Sequence, residues 1–385
     1  MKRLKFAIAL VSCLAGLAFC LRFGVSAQTA EDDSRLPPGY EEQLEASSAN
    51  RLFDALPDDT QDALAGLGLD GIDFYKVLEA SPRNILDTLF NLLQGGVSKI
   101  LQSGALALAI VLLLSFASSA LPDDEKPRHA VEAAGGILSI LMLLPGLSEL
   151  MRGASEVVKV GSDFSLLLIP ILAGIITAAG NPALALSYHT LTFAAAQGLA
   201  QLTDGVVVPC TSVVLGLTLV DSAAKDTQLS AIAGLIKKTV IGAFAVLASL
   251  FSALLSIKSL IANTADALVL RGVKVVAGSV PLVGGALSEA CGAILSSVAL
   301  VKSTVGGFAL IASLILYAPI LIELLLWSFM LKILGATGDL FNQNGVSQVF
   351  KSVQYAVSIL MACVLLNAAL LAISTGLVLT MKGNA

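Results

Sequence analysis

Few side chains in this sequence could take part in covalent chemistry, and their spacing argues against most of it. There are two histidines, His129 and His189, and neither sits in a recognisable constellation. The chain contains no HExxH, Walker A, GxSxG or GxGD pattern. Gly66-x-Gly68-x-Asp70 has a glycine pair, but it lies in an acidic stretch without the strand–turn–helix context a nucleotide site needs. Cys210, Cys291 and Cys363 each stand alone inside apolar segments, with no CxxC pairing, and so read as small apolar packing residues. His189 beside Tyr188, with Gln197 two turns on, suits hydrogen bonding between helices. The sequence offers no catalytic, cofactor-binding or metal-ligating set, which points away from an enzyme.

The ionisable residues in apolar surroundings are more informative. Glu323 follows the 20 uncharged residues Ser303–Ile322 and precedes eight more, four positions after Pro319. An intramembrane carboxylate marks a functional position by default. If the span instead ends near Ile322, Glu323 lies at the interface and pairs with Lys332. Asp266, Arg271 and Lys274 interrupt short apolar runs between Lys258 and Lys302. At helical spacing Arg271 and Lys274 share a face and Asp266 falls roughly beside them. Such charges need water, each other or a partner, so these three and Glu323 are candidate partner or lumen contacts. Anchoring to lipid headgroups by snorkelling is the alternative for Arg271 and Lys274. Helix breaks are expected at Asn181-Pro182 and at Pro281 and Gly284.

The elements that carry these residues follow from composition. Of 385 residues, 56% are hydrophobic and only 13% charged, and mean hydropathy is +0.87, against about 25% charged in ordinary soluble domains. From Gln28 to Asn91 there are 14 acidic and four basic side chains; from Leu92 onward, 14 acidic and 15 basic. An acidic extracytoplasmic segment therefore precedes a membrane domain. No basic face is present for nucleic acid.

Lys2, Arg3 and Lys5, the apolar stretch Phe6–Leu21 and Val25-Ser26-Ala27 fit a signal peptide over residues 1–27, with cleavage before Gln28; an uncleaved anchor helix is the alternative. Residues 28–97 form the acidic segment, with a polar leader to about residue 50 and short helices after it that must lean on the membrane domain or a partner. Residues 98–385 form the polytopic domain. Ile100–Pro122, Thr239–Ile257, Ser303–Ile322 and Ser352–Met381 read as spans, since each approaches or exceeds the roughly 20 apolar residues a bilayer requires. Ala133–Ser148 is shorter and broken at Pro145-Gly146. Phe164–Thr203 holds 40 uncharged residues, enough for a two-helix hairpin turning at Gly180-Asn181-Pro182, and Gly205–Val220 is a short run. Residues 258–302 read as two or three short interfacial or re-entrant helices. The expected fold is an all-α polytopic membrane protein with six to eight transmembrane helices, interfacial or re-entrant helices, and a small helical extracytoplasmic N-terminal segment.

With eight spans, seven Lys and Arg fall on each side of the membrane, Arg152 and Lys159 in one of the connecting segments, so the positive-inside bias assigns no orientation.

The stretch Asp266-x-x-x-Leu270-Arg271-x-x-Lys274, then Pro281-Leu282-Val283-Gly284, then Val301-Lys302-Ser303-Thr304-Val305-Gly306 and an apolar span with Pro319, resembles the stage III sporulation protein AE family. The layout is similar too: a signal peptide, a short acidic segment with Leu56-Pro57-Asp58, and a polytopic domain ending in a long apolar helix. The resemblance implies a non-enzymatic component of the channel complex between mother cell and forespore, in the mother-cell membrane surrounding the forespore. It implies as partners a cytoplasmic ATPase, ring-forming membrane proteins and a forespore protein, besides the lipid bilayer. It brings no cofactor and no catalytic residues. The other function class the sequence allows is a secondary transporter with its own small-solute site. Transporters usually show paired repeats with matching interruptions, and no self-similarity surrounds Asn181-Pro182 and Pro281-Gly284.

Overall fold

The computed structural model describes residues 36–119, 125–223, 229–278 and 284–380; the side chains of 93–95, 119, 125–129, 223, 258–278, 284–293, 344 and 380 are not among those described. The signal-peptide reading, the start of the polar leader and Pro281 lie outside the described residues. Among them there are helices and no strands.

Among the described residues, four short helices come first: α1 (Tyr40–Ala46), α2 (Arg51–Asp54), α3 (Asp58–Gly66) and α4 (Phe74–Glu79). Asp73 caps α4, its carboxylate accepting from the Tyr75 and Lys76 amides at 2.8 and 3.3 Å. The polar leader is thus shorter than the sequence suggests, because α1 begins at Tyr40. This acidic segment does lean on the membrane domain. The Tyr40 hydroxyl donates to Thr304 at 3.1 Å, and the Phe53 and Phe308 rings lie 6.4 Å apart.

Long helices make the rest: α5 (Pro82–Ser119), α6 (Glu125–Ala178), α7 (Pro182–Leu202), α8 (Val208–Ala223), α9 (Leu229–Gly278), α10 (Gly284–Leu340) and α11 (Asn344–Thr380). A π-helical turn, Thr203–Val207, joins α7 to α8 without a break in direction. Among the described residues, six stretches are long and apolar enough to cross a membrane: Gly96–Ser118, Ala130–Ala178, Pro182–Ser222, Leu229–Ile257, Ile294–Leu340 and Gly345–Leu379. The chain is an all-α polytopic membrane protein.

Helix α11 is the axis of the bundle. Every residue from Ala356 to Val364 is buried, so its buried positions lie on all sides of the helix. It packs against α6, α8, α9 and α10.

Two expectations need correction. Pro145 and Pro170 do not end α6, which runs through both for 54 residues, about 81 Å. Neighbouring helices can re-satisfy the carbonyls that internal prolines free. The described part of residues 258–302 belongs to long helices rather than to two or three separate short ones. It completes α9 as far as Gly278 and opens α10 at Gly284. The short apolar runs there come where helices extend past their most apolar stretches. The hairpin at Gly180-Asn181-Pro182 is present: Gly180 takes φ 82°, in the left-handed region, Asn181 is the N-cap of α7 and Pro182 its first residue.

Candidate functional site

The bundle is clamped at mid-height by one buried polar cluster. Asn367 of α11 accepts from the Tyr317 hydroxyl of α10 at 2.8 Å. Its amide nitrogen donates to the Val158 carbonyl at 3.1 Å and to the Ser162 hydroxyl of α6 at 3.2 Å. One short polar side chain thus joins three helices, an effective use of hydrogen bonding where lipid offers no alternative partner. Close approach requires Gly161, because a Cβ there would lie 1.7 Å from the Tyr317 hydroxyl oxygen. One turn up α11, Cys363 contacts the Thr203 hydroxyl of the π-turn at 3.3 Å. Residues 158–162, 203, 317 and 363–367 therefore share one level, the waist of the bundle.

At the waist α6 carries charge on its outer face. Arg152, Glu156, Lys159 and Asp163 are all exposed. Their spacing of four, three and four puts them in a single stripe along the helix. The opposite face, with Ala154, Val158 and Ser162, is buried in the bundle. The stripe forms one wall of a groove of about 610 Å³ whose far side includes Val208 at the start of α8. Asp204, in the π-turn just before it, is exposed. The signs along the stripe alternate, plus, minus, plus, minus, so the groove has no strong preference for either sign of solute. A charge turned to hydrocarbon at mid-bilayer costs about 2.5–3.5 kcal/mol on insertion scales, and four would strain any lipid-facing helix.

Glu323 is not at a helix end, and the groove it lines meets α6 at Gly153 and Val157 rather than at the stripe. Glu323 is half-buried in the middle of α10, within electrostatic range of Glu149 and Lys99. Lys99 and Glu149 pair at 3.0 Å between α5 and α6. Glu323, Pro319, Gly96 and Gly153 line a smaller groove of about 210 Å³.

The other candidates lie elsewhere. Asp266, Arg271 and Lys274 fall on the helical backbone of α9, with their side chains outside the described residues. Asn181, Pro182 and Gly284 mark helix starts. His189 stacks on Phe193 with ring centroids 5.9 Å apart.

Sequence reasoning missed the α6 stripe. Its 4-3-4 spacing was the available signal, hidden by a hydropathy profile that treats 149–163 as a connection between spans. It also missed the clamp at Asn367, a single polar residue in a long apolar run for which no sequence pattern exists.

The family described as Stage III sporulation protein AE matches residues 75–381. The Stage III sporulation protein AE of Bacillus subtilis (strain 168) is 23% identical over 349 residues, covering 87% of each chain. No solved structure matches. With four-fifths of its length inside the family's bounds, from the last short N-terminal helix to the end of α11, this multi-pass membrane protein belongs to the stage III sporulation protein AE family.

Proposed function

We propose that this chain is a non-enzymatic integral-membrane component of the channel complex that joins mother cell and forespore, held in the mother-cell membrane around the forespore. Its partners are a cytoplasmic ATPase, ring-forming membrane proteins and a forespore protein. The observation that carries this reading is the family match through the whole bundle. Among the described residues, charged side chains are arranged in a stripe and along grooves. Asp266, Arg271 and Lys274 serve as partner contacts on the α9 extension, and residues 1–27 act as a removable signal.

The test is genetic. A strain lacking this chain should complete engulfment yet fail to sustain late forespore transcription, read with a fluorescent reporter. The intact chain should restore the reporter. So should one in which His129, His189 and all mature cysteines are replaced. Failure of that replaced chain at normal membrane levels would contradict the non-enzymatic reading.

The second reading, a secondary transporter, draws on the 210 Å³ groove beside Pro319 and Glu323. It predicts solute uptake by the purified chain in liposomes, abolished by Glu323→Gln.

A further inference from the structure

The waist of the bundle is polar on one side and apolar on the other at the same height. Helices α9 and α11 run in the same direction. Ser230 of α9 meets Gln348 of α11, Gly234 lies under the Tyr355 ring, and the Lys237 ammonium sits 4.8 Å from that ring's centre. Extending this register by equal rise per residue brings the region of Val246 to Leu250 level with Asn367, and therefore with Val158 and Ser162 on α6. On α9 that level presents Val246, Leu247 and Leu250 to the exterior, 66%, 39% and 52% exposed. On α6 it presents Arg152, Glu156, Lys159 and Asp163. The central helix α11 separates the two faces, touching both α6 and α9.

A bilayer would accept the α9 face and reject the α6 face. A uniform environment at this height suits neither: open water would leave a row of large apolar side chains exposed, and lipid would meet the charged stripe. We propose that the α6 stripe lines a water-filled passage, while α9 at the same height faces lipid. The chain is then one stave of a wall, with α6 turned inward and α9 outward. The groove of about 610 Å³ between the stripe and the start of α8 is part of that passage. Its alternating signs suit hydrophilic solutes of either charge, without selecting for cations or anions. The inference deepens the channel reading and rests on it only for the passage's purpose.

Thiol accessibility tests it in membranes prepared from sporulating cells. All five cysteines are replaced by serine, and single cysteines are placed by Glu156→Cys and Asp163→Cys on α6 and by Val246→Cys and Leu250→Cys on α9. A membrane-impermeant maleimide needs water and a thiolate, so the α6 positions should react at least about tenfold faster than the α9 positions, whose thiols are held protonated by apolar surroundings. Denaturation in SDS should bring all four to equal reactivity, which establishes that each variant is present and labelable. Equal rates at α6 and α9 in native membranes would put the whole waist in open water and overturn the proposal. Unreactive α6 cysteines would seal the stripe away from water and overturn it too. Two positions on each helix keep the test valid if one variant fails to fold. Because the readout is water access and not spore formation, a negative result leaves the family role standing.

Discussion

Tyr317 and Asn367 face each other across the α10–α11 contact, hydroxyl to amide oxygen at 2.8 Å, both buried. Everything at the waist is organised around this pair. Asn367 passes the connection on to α6 through the Val158 carbonyl and Ser162. The charged stripe, three turns long, lies on the far side of α6 from these contacts.

Gly161→Ala should loosen this clamp. The added Cβ would meet the Tyr317 hydroxyl oxygen at 1.7 Å and its ring carbon at 2.5 Å, so the tyrosine must move and its bond to Asn367 must break. Overpacking with the loss of a buried hydrogen bond costs about 2–4 kcal/mol. Unfolding of the purified protein in mixed SDS–detergent micelles should show a destabilisation of that size, with helix content unchanged before the transition.

The pair itself should be strongly non-additive. Tyr317→Phe leaves the Asn367 oxygen without its donor and should cost about 1–3 kcal/mol. Adding Asn367→Leu to Tyr317→Phe should cost less than the two single changes summed, because the orphaned group is removed with its partner. The same unfolding measurement, run on all four members of the cycle, checks this. Strict additivity would mean that the two side chains do not interact.

Docking of the acidic segment depends on Tyr40. Burial holds its phenol above the ordinary tyrosine pKa, only partly offset by the hydrogen bond to Thr304. A raised pKa means the docked state prefers the neutral phenol, so this contribution is complete below the unfolded value of about 10 and is lost as pH rises above it. Limited proteolysis should release residues 28–80 faster at pH 11 than at pH 8. Tyr40→Phe should remove about 1 kcal/mol of docking at neutral pH, and the phenol's contribution to the alkaline step should vanish with it.

Charges on the α9 extension can be tested without moving the waist. Under lipid anchoring, Arg271→Lys is harmless and Asp266→Ala nearly so, since either cation snorkels. Under partner contact, each change should reduce spore yield while membrane levels stay normal. Normal yield from the Asp266→Ala, Arg271→Ala double variant would dismiss the contact.

Much of this architecture is legible in the sequence where one strong local signal decides it. The hairpin at Gly180-Asn181-Pro182 is an example, because proline cannot continue a helix and glycine alone takes the left-handed turn cheaply. The acidic segment's dependence on the bundle follows from its small size. The stripe on α6 is less legible, because four charges in 12 residues lower hydropathy as a loop would, whether or not the backbone stays helical. What keeps it helical is tertiary: Ala154, Val158 and Ser162 on the opposite face are buried against neighbours far away in sequence. Glu323 could be singled out from its position in an apolar run, but its neighbours Lys99 and Glu149 come from two other helices, and no spacing rule reaches them.

The most direct measurement is affinity purification of the full-length chain from sporulating cells in mild detergent, with the bound proteins identified by mass spectrometry. The account predicts that a cytoplasmic ATPase, ring-forming membrane proteins and a forespore protein of the channel complex travel with it. A chain that purifies free of all of these, from membranes where they are present, would contradict it.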